Sequence, residues 1–135
     1  MDKTNAYIKT TKDIAVSVVP IYLVDRSVPE DGFFVWAYKI CIENNGICTV
    51  TLRNRHWKIT DAEGNTEVVD GEGVVGEQPI LAPGQSYEYT SGTPLPTPSG
   101  IMVGSYEMES DEGTMFAVDI PAFSLDSPHE SSPLH

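Results

Sequence analysis

Apolar and polar residues alternate with a period of two along most of this chain, the spacing of half-buried strands rather than helices. The clearest run is Phe33 to Glu43, FFVWAYKICIE, with Phe34, Trp36, Tyr38, Ile40 and Ile42 on one face and Lys39 and Glu43 on the other. It predicts a strand with Trp36 to Ile42 turned into a core. Ile14 to Leu23, IAVSVVPIYL, is a second strand, rich in branched apolar residues. Pro20 has no amide to give a ladder, which predicts an edge strand or a bulged one. Asn44 to Gly46, NNG, reads as a hairpin turn, because Asn and Gly tolerate positive φ. The returning strand is ICTVTLRNRHWKITD, in a register that sets Cys41 opposite Val50 and Cys48 opposite Glu43. Its alternation changes phase: Val50 and Leu52 fit one parity, Trp57 and Ile59 the other. A β-bulge between Leu52 and Trp57 restores both pairs to one face. That break puts Arg53, Asn54, Arg55 and His56 where side chains are re-aimed.

Shorter strands follow at TEVVDG, QPIL, SYEYTSG, IMVGSYEMES and TMFAVDIPAFSL, separated by the turns DAEGN, APGQ and DEG and by the proline-rich TPLPTPSG. Turns every 8 to 12 residues predict an all-β, antiparallel sandwich of seven or eight strands with almost no helix. Tyr87, Tyr89, Tyr106, Phe116 and Phe123 are left open between core packing and an exposed patch.

The length of 135 residues and a 40% hydrophobic content fit one globular domain with a single core. No apolar run reaches the ~20 residues of a membrane helix, and the first residues, MDKTNAYIKTTKDIAV, lack the apolar stretch of a secretory signal. The expectation is a cytoplasmic protein without membrane insertion. Two cysteines, Cys41 and Cys48, are too few for a disulfide framework and are not spaced as a zinc site. The net charge of −12 is divided unevenly. All eight Lys and Arg lie at or before Lys58, so the first 58 residues sum to +2 and the rest to −14. Such a field repels nucleic acid and suits a basic protein partner or cations.

The segment NRHWKITDAEGNTEVVDGEGVVGEQPILAPGQSYEYTSGTPLPTPSGIMVGSYEM resembles the ApaG family. The likeness runs through RHW at Arg55 to Trp57, ITD at Ile59 to Asp61, GVVGEQP at Gly73 to Pro79, YTSG at Tyr89 to Gly92 and IP.F.L from Ile120 to Leu125. It implies an immunoglobulin/fibronectin type III-like sandwich over residues 14–126, with 1–13 a flexible N-terminal segment and 127–135 a C-terminal tail. It also implies an association with cobalt resistance and magnesium efflux, and no catalytic residues that could be carried over. Related domains attached to F-box proteins and in a DNA polymerase delta-interacting protein imply protein binding.

GEGVVGEQP at Gly71 to Pro79 contains G-x-G-x-x-G, the spacing that cradles pyrophosphate at a strand-to-helix turn. Here Pro79 and Pro83 follow and the pattern resumes as strands, so the helix that such a site needs is missing. What survives is an anion nest: backbone amides of Gly71, Gly73 and Gly76, with Arg53, Arg55 and His56 as nearby cationic or polar groups. The competing expectation is that the glycines only let the backbone turn. His56 has no second histidine or nucleophile at a known motif spacing, so the chain is expected not to be an enzyme. No cofactor and no metal site are expected, since DAEG and MESDEG read as turns. The expected function is a non-catalytic module binding a protein partner through a sandwich edge or loops, with homodimerisation open. The alternative is a sensor for phosphate, a nucleotide or a divalent cation.

Overall fold

The computed structural model of the chain describes residues 6–129. Within them nine strands form two antiparallel sheets: β1 (Tyr7–Thr11), β2 (Ile14–Tyr22), β3 (Phe34–Asn44), β4 (Val50–Asp61), β5 (Thr66–Glu72), β6 (Ile80–Leu81), β7 (Ser86–Leu95), β8 (Gly100–Ser110) and β9 (Met115–Leu125). One sheet has the order β1-β2-β3-β7; the other is β5-β4-β8-β9, with β6 beside the start of β4. This is the expected sandwich, and its inner faces carry the period-two residues. Trp36, Tyr38, Ile40, Ile42, Trp57 and Ile59 are all buried, with Val16, Val18, Leu52, Met102, Met108 and Phe123 among them. Short 3-10 turns at Val24–Arg26 and Pro29–Asp31 are the only helical pieces among the described residues. None of these is long and apolar enough to cross a membrane.

The strand count exceeds eight because of β1. β6 is two residues of QPIL. β1 lies inside residues 1–13, which the sequence suggested would be flexible; it pairs with β2 from Tyr7↔Val18 to Thr11↔Ile14. The connecting Lys12 and Asp13 both have positive φ, 48° and 69°, as a two-residue type I′ turn requires. Lys-Asp is not the usual residue pair for that turn, so the local sequence does not signal it. Residues 1–5 and 130–135, the ends of the expected flexible segment and tail, lie outside the described residues. Ser127 and His129, also placed in that tail, pack on the domain: Ser127 Oγ donates to the Pro98 carbonyl at 2.7 Å and the His129 ring meets Tyr22 and Phe34.

Pro20 is not on an outer strand, because β2 lies between β1 and β3. It sits past the last β1–β2 pair among the described residues, Tyr7↔Val18, and opposite Tyr38 of β3. The expected edge or bulged strand is therefore not found: β2 is an inner strand in regular register with both neighbours.

NNG is not a hairpin turn. β3 pairs with β2 and β7, and β4 pairs with β5, β6 and β8, so the chain crosses between sheets there. Cys41 accordingly faces Ser17 and Glu88 rather than Val50; neither Cys41 nor Cys48 is in a disulfide. The crossing is held by the side chain of Asn44, which is 1% exposed. Its Nδ2 donates to the carbonyls of Cys48 (2.8 Å) and Leu81 (2.9 Å), and its Oδ1 accepts from the Gly46 amide at 2.9 Å. A side chain that satisfies three backbone groups can redirect a turn that local propensity would close as a hairpin.

The bulge in β4 is where the alternation placed it. Leu52 pairs with Met108 and Asn54 with Glu107, leaving Arg53 as the extra residue. Trp57 then enters the core over Gly104, where a Cβ would approach its Cε3 to 2.6 Å and the His56 carbonyl to 2.7 Å.

Two substitutions test these constraints. Gly104→Ala is expected to cost about 1–3 kcal/mol in urea unfolding, because the methyl must displace Trp57 or the ladder. Asn44→Asp keeps the size but loses the two donors and buries a charge. A fall of at least about 2 kcal/mol is expected, and an unchanged unfolding midpoint would show that the crossing does not need them.

Candidate functional site

The β4 bulge returns Arg55 to the inward parity with Trp57, at the side where the two sheets open beside β7. Its Nη1 donates to the carbonyls of Glu72 and Gly73, both at 2.9 Å. The guanidinium lies over Gly71, where a Cβ would come within 2.7 Å of Cζ and Nη2. A side chain at Gly71 would have to push the Arg55 guanidinium aside, so its role is space, not positive φ. Gly73 and Gly76 do adopt positive φ, 62° and 82°, and Val75 between them stands at 43°. The amides of Val74 and Glu77 each donate to the other's carbonyl, at 2.8 and 2.9 Å. Val75-Gly76 is thus a type I′ turn. Val74 is driven into the core, 1% exposed, while Val75 stays 55% exposed at the tip.

The glycine segment is a plug in the open side of the sandwich. Three of its amides are committed: Gly73 donates to the Arg53 carbonyl at 2.8 Å, and Val74 and Glu77 close the turn. Arg55, Gly71, Gly73 and Gly76 are brought together as the plug and its anchor, with the Arg53 carbonyl at its base, whereas His56 is not part of it. Arg53 Nε pairs with Glu109 at 2.7 Å, and its carbonyl also accepts from Gln78 Nε2 at 2.9 Å.

Behind the plug Arg55, Tyr38, Trp57, Val74, Val75, Tyr89 and Ser91 line a cleft of about 160 Å³. Tyr38 is hydrogen-bonded to the Ser91 side chain, and the Tyr89 and Tyr106 hydroxyls meet at 2.5 Å. Burial pushes all three phenols above their ordinary range. Tyr106 is raised further by neighbouring Tyr89, while Arg55 lowers Tyr38 and Tyr89 slightly against that trend. Arg55 has no carboxylate partner among the described residues.

His56 has the opposite parity and lies on the outer face. The ladders set Asp70 on one side of it and Ser105 on the other, and Asp70 Oδ1 is hydrogen-bonded to its Nδ1. Sequence spacing missed this row, since its members lie on three strands. The order Asp-His-Ser matches a hydrolytic triad, but the row is open to water, with 50% of the His56 and 68% of the Asp70 side chain exposed. β4 is paired on both sides from Asn54 to Thr60, so its amides are spent in ladders and are not aimed at a developing oxyanion. Glu72, Asn54 and Glu107 form the next row, with Asn54 Nδ2 donating to Glu107 at 2.6 Å; both rows line a shallow groove of about 690 Å³.

The acidic turns use their polar groups on themselves. Asp61 Oδ1 accepts from the amides of Glu63 (2.9 Å) and Asn65 (3.0 Å). Burial raises the Asp61 pKa, but those hydrogen bonds, Asn65's first, outweigh it and hold the carboxyl below its ordinary value. Ser110 Oγ accepts from Glu112 and Thr114 in the other turn. Among the described residues no three His, Cys, Asp or Glu side chains converge as metal ligands.

A family model for the ApaG domain matches residues 24–110, which span β3 to β8 together with the plug. The chain belongs to the ApaG domain family. It is 63% identical over 129 residues to Protein ApaG of Paramagnetospirillum magneticum, covering 96% of this chain and 99% of that one. It is 60% identical over 129 residues to Protein ApaG of Parvibaculum lavamentivorans, with the same coverage. A crystal structure described as an ApaA protein from Bordetella pertussis superposes with a TM-score of 0.84 at 46% identity, covering 87% of this chain and 95% of that one. The ApaG resemblance read from RHW and GVVGEQP is thereby borne out, and the sandwich with it.

The tyrosine cluster gives this ApaG-family domain a pH signature. A phenol raised in the folded state stabilises the fold fully below its unfolded value, near 10, and that stability is lost as the pH rises toward the folded value. Unfolding free energy is therefore expected to fall above about pH 10. In an ultraviolet titration Tyr38, Tyr89 and Tyr106, half of the six tyrosines, should ionise late, and Tyr89→Phe should reduce that late fraction.

Proposed function

We propose that this ApaG-family chain is a non-catalytic protein-binding module that takes a strand of its partner along β7. The observation that carries this reading is the free edge of β7. The Val35 amide and carbonyl are used toward Ser27 and Leu23, which makes Val35↔Pro94 a rung without β3–β7 hydrogen bonds. By alternation the amides of Ser86, Glu88, Thr90 and Gly92 point away from β3. Among the described residues no strand pairs with β7 on that side. An open row of donors and acceptors of this length is a template for strand addition. The other edge of the same sheet is less available. β1 lies against β9, with Lys9 paired to Asp119 at 3.3 Å and Thr11 Oγ1 accepting the Asp119 amide at 3.2 Å.

Two features weigh against the sensor alternative. The amides of Gly73, Val74 and Glu77 are committed to the backbone, and the acidic turns are self-satisfied. The family's association with cobalt resistance and magnesium efflux then belongs to the partner rather than to an ion or nucleotide held here. The net charge of −12 favours a partner of neutral or basic surface and disfavours nucleic acid. We place the interaction in the cytoplasm. A second copy of the chain satisfies the same edge geometry and is one partner to be tested.

Thr90→Pro tests the reading. It removes an outward amide that β3 does not use, so the fold should persist, as it does with Pro94 four residues on. Affinity capture from native cytosol, with and without Mg²⁺ or Co²⁺, is expected to retain a protein on the parent chain and lose it on Thr90→Pro with unchanged far-UV dichroism. Sedimentation of both forms separates self-association from a foreign partner. Equal retention by both forms, or stoichiometric metal or nucleotide binding without any retained protein, would overturn the module.

A further inference from the structure

We infer that the cleft beneath Val75 is a carboxylate pocket, with Arg55 as its anchor, and that it receives an Asp or Glu side chain, or a terminal carboxylate, from the strand docked on β7. The source of the carboxylate rests on the β7 reading above; the pocket itself does not. Arg55 is half-buried and spends Nη1 on two carbonyls, while Nε and Nη2 have no acceptor among the described residues. A half-buried guanidinium with part of its fork free and no counter-ion is an incomplete site, because charge removed from water is normally paired. The remaining donors match a carboxylate's two oxygens.

The walls narrow the ligand further. Trp57, Tyr38, Tyr89, Val74 and Val75 surround the cleft with ring and branched apolar surface, which suits a carboxylate on a hydrocarbon stem. Glu72 and Glu77 belong to the plug segment and are both exposed, so a monoanion enters at less electrostatic cost than a phosphate dianion. The volume of about 160 Å³ holds a side-chain-sized group and not a nucleotide. Tyr89 and Ser91 are inward-facing residues of β7 itself. On an added strand the residue opposite either of them stands about 5 Å away on the same face, within reach of Arg55 for an Asp or Glu. Val75 adds a further sign. A β-branched residue at positive φ is strained, and such strain is retained where surrounding structure fixes it for use. Here it holds an apolar side chain at the mouth of the cleft.

The test uses the whole chain and simple probes. Butyrate is titrated while the Arg55 Nε–H and Trp57 indole N–H resonances are followed, with butyramide and NaCl of equal ionic strength as controls. Saturable shifts of both resonances with butyrate, and none with either control, are expected. Val75→Glu changes the half-exposed residue at the cleft's mouth and brings its own carboxylate there. It should abolish the butyrate response while leaving the unfolding midpoint within error of the parent. Arg55→Lys should weaken the response at least tenfold if it folds, and the Val75→Glu result stands whether or not it does. Equal shifts from butyrate and butyramide, or a response that persists in Val75→Glu, would overturn the pocket. Loss of partner capture in Thr90→Pro beside an absent butyrate response would retain strand docking and reject the carboxylate.

Discussion

A single extra residue in β4 organises the functional side of this domain. A strand has two faces, and β4 must turn both Val50 and Leu52 and, further on, Trp57 and Ile59 toward the same core. Arg53 absorbs the mismatch as a bulge. The residues after it take the parity they would not otherwise have: Arg55 points inward and His56 outward. Everything that sets this side of the sandwich apart follows from that inversion. Arg55 can hold the plug only because it lies between the sheets, and Gly71 is bare because the guanidinium occupies its side-chain space. Were the bulge removed, Arg55 would face water and Trp57 would lose its seat over Gly104.

The plug resolves a geometric problem common to open sandwiches. One side here is narrowed by contacts between β1 and β9, including the Lys9–Asp119 pair. The other side, between β7 and β4–β5, would expose Trp57 and the tyrosines. GEGVVGEQP fills the gap with one apolar side chain, Val74, on a turn tight enough to need positive φ at Gly73, Val75 and Gly76. The glycine spacing that resembles a pyrophosphate cradle is thus produced by different requirements: room for Arg55 at Gly71, and positive φ at Gly73 and Gly76. Motif spacing alone does not distinguish these causes. The proline residues that follow do, because they forbid the helix that phosphate binding requires.

What the sequence disclosed and what it concealed divide along the range of the interactions involved. Period-two burial in FFVWAYKICIE and the phase change in LRNRHWKI depend only on neighbours along one strand, so both were readable. The register of β4 with β8, the Asp70–His56–Ser105 row and the Tyr38–Ser91 and Tyr89–Tyr106 contacts depend on which strands become neighbours, and no local pattern encodes that. Asn44 illustrates the boundary. Its turn propensity predicts a hairpin, which the chain does not make: its buried amide reaches Leu81, 37 residues on, and that contact sends the chain to the opposite sheet. Lys12-Asp13 is the converse, a tight hairpin made by residues whose local preference gives no warning of it.

The same inversion accounts for how chemistry and binding are distributed over the molecule. The outward rows after the bulge hold residues associated with catalysis, yet they sit on a strand paired on both sides, where backbone donors are consumed and water has free access. A His–Asp hydrogen bond in that setting has no enclosed volume in which its charge would be amplified. The inward residues occupy the reverse situation: poor in obvious reactive groups, but enclosed by rings, with one partly unpaired cation beside an open strand edge. Binding energy per group is larger where water is excluded, and an edge supplies directional hydrogen bonds next to that enclosure. Recognition is therefore better placed at the seam between β7 and the plug than on the broad acidic face, although the face has the larger concavity. Shape alone would select the groove; desolvation, the free edge and the unpaired half of Arg55 select the seam.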